Sequence, residues 1–252
     1  MAEDADRPRS AIGSSTRDSI TLAGRDLPSE LMGRLSLTEL TYLLLVGRDP
    51  SPGERRLLDT VLVSLADHGL TPSALAARLT WTGAPEAIQG AVAAGLLGAG
   101  SVFLGPAGDT AVFLAEALAA GEGAPLEDVA REAVAARMAA GRRVPGLGHP
   151  VHRDGDPRTP RLYAVAEEEG LLGPHARLLL LVAQAHEEAS GKRLPVNGAG
   201  AAGAVLVDIG IRPDVVRGVV LIARTAGLVA HLAEEMDHPL GRDLWLNAER
   251  HG

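Results

Sequence analysis

Residues 191–210, GKRLPVNGAGAAGAVLVDIG, decide between two fold classes. Gly198, Gly200 and Gly203 satisfy the spacing GxGxxG, a fingerprint of dinucleotide-binding α/β folds. That fingerprint needs a buried strand before it and an acidic residue about 20 positions later. Here the preceding GKRLPVN holds a proline and two aliphatics, and the later position falls inside Val219–His231, VVLIARTAGLVAH, an apolar helical run. Small residues that bring one helix close to another element, or to a ligand, explain the glycines better. A Rossmann unit is therefore set aside.

Working outward, apolar residues recur with helical spacing over most of the chain. SLTELTYLLLVGRDPSPGE (36–54) opens with a capping box, Ser36 at the N-cap and Glu39 at N3, and stops at Gly47 ahead of Pro50 and Pro52. Further helices are predicted over 53–67, 72–80, 84–98, 109–120, 125–139, 158–169, 174–190, 201–209, 212–236 and 239–248. Strand-length alternation is nearly absent. DSITLAGRDLPSEL (18–31) alternates weakly and reads as a short hairpin or an extended arm. The expected fold is all-α with a glycine-rich seam between helices. Residues 1–15 are polar and read as a disordered tail before a domain over 16–252. A more charged section, 109–192, lies between weak boundaries at 105–108 and 193–200 and reads as a smaller subdomain. A cleft between two helical lobes would suit a small ligand.

Composition narrows the functions. A chain of 252 residues can bury a real core. Its net charge of −8 argues against a nucleic-acid partner. With no cysteine, neither disulfides nor thiolate chemistry are available. No apolar stretch is expected to reach the roughly 18 residues of a membrane span. MAEDADRPRS lacks the apolar centre of a signal peptide, so the expected location is the cytoplasm. Aromatics make up only 2% of residues, which favours close-packed helices over an aromatic-rich sandwich.

Chemistry concentrates in VPGLGHPVHRDGDPRTPR (144–161). Its glycines let backbone approach a ligand, and His149 can move a proton or polarise a carbonyl near neutral pH. Asp156 and Pro157 read as N-cap and first helical residue, which places Arg158 in a helical first turn as a carboxylate or phosphate clamp. A capped turn carrying surface charges fits the same residues. ADHG (66–69) presents His68 at a helix end, where it could instead cap carbonyls. Arg224 sits inside the apolar run 218–236 and needs an acidic partner or an anionic substrate. His231, two turns further along that face, reads as a packing residue. No metal set is expected: His149 and His152 share a loop with no further close ligand, and HExxH, GxSxG and P-loop patterns are absent.

In order, ITLAGRDL, LTELTYLLLVGRDPS, ADHG, GPAGDTA, PGLGHPVHRDGDPR, LPVNGAGAAGAVLVDIG and ARTAGLVAHLAEE resemble the citrate synthase superfamily. The resemblance covers about residues 16–247 and is nearest to the short citryl-CoA lyase modules, including the C-terminal module of ATP-citrate lyase. The long segment that full citrate synthases carry between the YLLL helix and ADH is missing, as in the lyase modules.

The resemblance implies an all-α fold with large and small subdomains, a homodimer or higher homo-oligomer, and a CoA-thioester site in the cleft. No permanently bound cofactor is implied, and the CoA thioester is a substrate together with a di- or tricarboxylate. His68 would hold or polarise the oxoacid carbonyl or citryl hydroxyl. His149 would bond the same oxygen or act as acid/base, and Arg158 and Arg224 would clamp carboxylates. Asn197 would contact substrate. Pro145, Gly146, Leu147 and Gly148 would run beside coenzyme A. Three positions depart from the family pattern. Leu104 stands for a histidine that the lyase modules also lack, and His238 stands for a substrate-binding arginine, with Arg242 as its possible substitute. Ala199 stands where NVDxxxG has its acid/base aspartate. The leading expectation is a citryl-CoA lyase or synthase. A catalytically impaired binding subunit is the second, and an NAD-binding oxidoreductase through GAGAAG the third.

Overall fold

The computed structural model describes residues 10–251, and its first α-helix begins where the sequence caps it. Ser36 Oγ accepts the Glu39 amide and the Glu39 carboxylate accepts the Ser36 amide at the start of α1 (Leu37–Val46). A second box, not foreseen, opens α2 (Pro52–Leu65), where Ser51 and Glu54 exchange the same pair of bonds. Two compact units divide between Arg56 and Leu57. The expected subdomain 109–192 falls wholly within the second.

In the first unit three short antiparallel strands, β1 (Gly13–Ser15), β2 (Ile20–Leu22) and β3 (Arg25–Asp26), form the expected hairpin plus one strand. The turn is Ala23-Gly24, both at positive φ, as a two-residue hairpin requires. β1 corrects the reading of 1–15 as a disordered tail, because Gly13–Ser15 pair with Ile20–Leu22; residues 1–9 of that stretch lie outside the described residues. Glu54 anchors this unit, accepting Tyr42 Oη at 2.8 Å and both Arg48 terminal nitrogens at 2.9 and 2.6 Å. Arg48 brings its carboxyl down to about 2.

The second unit continues with α3 (Pro72–Gly83), α4 (Ile88–Phe103), α5 (Gly105–Ala120), α6 (Leu126–Ala139), α7 (Arg158–Glu168), α8 (Pro174–Ser190), α9 (Gly198–Asp208), α10 (Val216–Asp237) and α11 (Gly241–His251). α9 packs on α5, α7 and α8, while α10 packs on α3, α4 and α5. Val205, Leu206, Val216, Val219, Leu228 and Leu232 are fully buried between them, each contributing roughly 1.5–3 kcal/mol.

Several helix starts differ from expectation: α4 begins at Ile88 rather than 84, and α10 at Val216 rather than 212, after a 3-10 turn over Pro213–Val215. α5 begins at Gly105 rather than 109, because Pro106 occupies the first turn where no amide is needed. α9 begins at Gly198 rather than 201, because the Asn197 side chain accepts the Gly200 amide at 2.8 Å. The apolar stretch also runs longer than expected. Residues 213–237 are helical, with mean hydropathy 1.6, and are long and apolar enough to cross a membrane by those two measures alone. This helix packs on its neighbours and carries the buried Arg224 and Glu235, the features of a core helix.

The glycine seam is real. A Cβ on Gly200 would lie 2.5 Å from Gly146 Cα, and one on Gly227 would overlap the Ala66 carbonyl oxygen. These contacts press α9 against the PGLGH loop and α10 against the ADHG loop.

Candidate active site

Backbone pairing fixes the PGLGH loop. Leu147 and Val196 form an isolated antiparallel bridge, the Gly148 amide donates to Pro195 O at 2.8 Å, and the Asn197 amide donates to Gly146 O at 2.9 Å. Gly146 and Gly148 take positive φ, 83° and 71°. Asn197 Nδ2 donates to Gly148 O at 2.8 Å, and its Oδ1 caps α9. Both ends of the Asn197 amide thus bond protein backbone and hold the loop to α9, with one Nδ2–H left for the expected substrate contact. Gly146 is buried, whereas Pro145, Leu147 and Gly148 keep part of their surface open.

This loop and ADHG bring three imidazoles together. His68 Nε2 lies 3.3 Å from His152 Nε2, and the His149 ring stacks on that of His152 with centroids 4.6 Å apart. The expectation that no third histidine joins His149 and His152 is corrected: His68, 84 residues upstream of His152, supplies it. His149 Nδ1 accepts two backbone amides, from Val151 at 3.1 Å and His152 at 3.0 Å. An amide only donates, so Nδ1 carries the lone pair and the ring proton sits on Nε2. His149 is therefore a neutral donor through Nε2. Partial burial, then the neighbouring His152, lowers its pKa; burial, then Arg158 and His152, lowers that of His68. A three-histidine metal site would need a lone pair that His149 does not have free, leaving His68 and His152 as two donors.

The two arginines differ. Arg158 binds Asp156 in bidentate fashion, Nε to Oδ1 at 2.9 Å and Nη2 to Oδ2 at 2.7 Å, and Nη1 donates to Ser64 O at 3.3 Å. Asp156 is buried and also accepts the Gly198 amide at 2.8 Å. Burial works against its ionisation, yet Arg158 and the amides outweigh it and hold the carboxyl far below the carboxylate range. The Nε–Nη2 side of the Arg158 guanidinium is therefore taken by Asp156, while Nη1 and Nη2 each keep one further N–H. Asp156 does cap, accepting the Arg158 amide at 3.1 Å, although α7 begins at Arg158 with Pro157 ahead of it.

Arg224 is 6% exposed, and its Nε and Nη1 have no hydrogen-bond partner among the described residues. Asp67 Oδ1 stands 3.6 Å from Nη1, an ion pair too long for a hydrogen bond. Asp67 is engaged elsewhere, accepting His231 Nε2 at 2.9 Å and the Gly69 amide at 2.8 Å. His231 Nδ1 in turn accepts Arg78 Nη2 at 2.9 Å, and Arg78 binds Glu235 at 2.8 Å and Glu234. His231 is a packing residue, as expected. Arg242 lies exposed on α11 and makes no hydrogen bond or ion pair among the described residues.

The sequence does not reveal Arg78, nor the pairings of Asp67 with His231, His152 with His68 and Asp156 with Arg158. Together the side chains offer neutral imidazole donors for a carbonyl or hydroxyl oxygen, and a buried guanidinium with open N–H groups for a carboxylate.

Comparison with known proteins gives this geometry a lineage. A family model described as "Citrate synthase, C-terminal domain" matches residues 17–244. The chain is 32% identical to citryl-CoA lyase from Hydrogenobacter thermophilus, with a TM-score of 0.82 over 91% of this chain and 87% of that one. ATP citrate lyase from Methanothrix soehngenii, solved in complex with citrate and coenzyme A, is 21% identical. It shares the fold at a TM-score of 0.76 over 94% of this chain and 42% of that one. The citrate synthase of Acidithiobacillus ferridurans is 28% identical over 205 residues, 77% of this chain and 50% of that protein. The chain spans about half the length of the curated relatives it matches.

Proposed function

The chain belongs to the citrate synthase family, and on that premise we propose that it cleaves or forms the carbon–carbon bond of a citryl-CoA-like thioester. The products of cleavage would be oxaloacetate, or another 2-oxoacid, and acetyl-CoA. The observation that carries the reading is Arg224, buried with two unfilled nitrogens beside a cluster of imidazoles. A buried cation with open N–H groups costs stability unless an anion completes it, and a substrate carboxylate does so.

The other roles follow from the hydrogen bonds. His149 Nε2–H donates to the carbonyl or hydroxyl oxygen, where negative charge develops as the bond breaks. Because its Nδ1 is taken by two amides, His149 acts as donor rather than base. His68 holds the same oxygen or takes its proton. Arg158, paired with Asp156, supports the start of α9, since Asp156 also bonds Gly198, and its remaining N–H groups can meet a carboxylate. The partly open Pro145, Leu147 and Gly148 border the path of the thioester arm.

A second reading rests on Ala199, half-exposed in the first turn of α9, where the family resemblance calls for an acid/base aspartate. Alanine moves no proton, and losing a general base costs roughly 10²–10⁴ in rate. On that reading the chain binds a CoA ester or tricarboxylate as an accessory subunit. In both readings it acts as a homodimer, consistent with Leu97 at 81% and Val102 at 74% exposure on α4.

Incubating the purified protein with citryl-CoA and following oxaloacetate, acetyl-CoA and free CoA tests the proposal. Stoichiometric oxaloacetate and acetyl-CoA are expected. No turnover above background, with tight binding of the ester, would overturn the lyase in favour of the accessory subunit.

A further inference from the structure

Cleavage of a citryl thioester must move one proton. The bond between the hydroxyl-bearing carbon and the acyl α-carbon breaks, and its electron pair becomes the thioester enolate. The C–O–H becomes a carbonyl, and the hydroxyl proton passes to a protein group. The α-carbon then takes a proton back. The sum is citryl-CoA to oxaloacetate plus acetyl-CoA, with no net proton, electron or co-reactant consumed.

We propose that His152 delivers that proton to the α-carbon, and removes it in the reverse direction, in the role that Ala199 cannot fill. The inference rests on the function proposed above.

Elimination among the neighbouring groups supports it. Asp67 is engaged by His231 and the Gly69 amide, and Asp156 by Arg158 and the Gly198 amide. Both carboxylates are held ionised, and Asp156 is fully out of reach of solvent. His149 cannot accept a second proton at Nδ1 without breaking two amide bonds. His68 and His152 remain. The side chain of His152 has a single hydrogen-bond partner among the described residues, His68 Nε2 at 3.3 Å.

The two Nε2 atoms face each other, so one proton lies between them and the pair can hold one more. His68, on the ADHG loop, takes the hydroxyl proton, the proton between the two Nε2 atoms shifts to His152, and His152 passes one to carbon, which returns the pair to its starting charge with the ring tautomers exchanged. The half-buried position of His152 leaves its ring accessible to a substrate. The N-terminus of α9, which carries Ala199, faces the same loop, because Asn197 Nδ2 bonds Gly148 O one residue before His149. The charged and titratable groups around the pair are His149 and Arg158–Asp156 from the loop and the start of α7, Arg153 and Asp154 next to His152 in the chain, Asp67 next to His68, and Arg224 from α10.

The test uses the full chain. Wild-type, His152→Gln and His152→Ala proteins are compared for citryl-CoA turnover, ester affinity and deuterium incorporation into the acetyl methyl from heavy water. The expected result is at least a tenfold loss of kcat in both variants with ester affinity changed less than threefold. The pH–rate limb attributed to an imidazole should vanish, and the methyl deuteration rate should fall in parallel. Adding Ala199→Asp to His152→Gln should recover part of the rate by restoring a carboxylate, which also excludes simple misfolding. If wild type turns over and both folded variants stay within twofold of it, the His152 assignment is overturned while the lyase reading stands. If wild type itself does not turn over, both fall. If the double variant recovers nothing while His152→Gln has lost ester binding, His152 is a structural residue.

Discussion

Arg78 and Arg224 are both buried arginines of the second unit, joined through His231 and Asp67, yet their surroundings are opposite. Arg78 is 1% exposed and completely satisfied by Glu235, Glu234 and His231. Arg224 is 6% exposed and leaves Nε and Nη1 open, with its pKa pushed down by burial. A fold that can satisfy one buried guanidinium with two carboxylates and an imidazole has not done so for the other. The contrast separates an arginine that holds the protein together from one kept open for a ligand.

The contrast predicts opposite responses to the same change. Arg78→Leu should destabilise by about 3–5 kcal/mol, because it leaves Glu235 buried without its cation. Chemical denaturation reads this directly, and an unchanged midpoint would erase the distinction. Gly227→Ala should cost about 1–3 kcal/mol, because its methyl overlaps Ala66 O and displaces the loop that carries Asp67 and His68. Oxoacid binding should fall with it; a variant with full affinity would show that loop position does not matter.

Glu54 extends the satisfied class to the first unit. Its folded pKa, about 2, lies below its ordinary 4.5, so it contributes stability that is complete above 4.5 and lost as pH falls towards 2. Its share of the slope cannot exceed about 1.4 kcal/mol per pH unit. Acid unfolding of Glu54→Gln should lack that share, and identical acid limbs would contradict the assignment. The smallest effect is expected for Arg224→Leu, within about 1 kcal/mol of wild type, because Asp67 keeps His231 and the Gly69 amide. A loss as large as that of Arg78→Leu would make Arg224 structural.

The helical fold was legible because its signals are local. The Ser36–Glu39 box, Gly47 and the period of 218–236 each act within a few residues, and the failure of GAGAAG as a nucleotide loop showed in its own flanks. The ordered motifs also singled out His68, His149 and Arg224, which the fold brings near one another. What escaped depends on distance along the chain. Arg78 reads as an ordinary helical arginine because its partners Glu234 and Glu235 lie more than 150 residues away. His152 looked isolated because His68 reaches it only through tertiary packing. Asn197 and Arg158 show a different limit. Residue type reveals what a side chain can bind, but not that Gly148 and Asp156 take up part of that capacity.

Calorimetric titration of oxaloacetate into wild-type and Arg224→Leu protein tests the central claim, that the open nitrogens of Arg224 await a substrate carboxylate. At least a tenfold loss of affinity in the variant, about 1.4 kcal/mol, is expected with stability within about 1 kcal/mol of wild type. Equal affinities in the two proteins would contradict it.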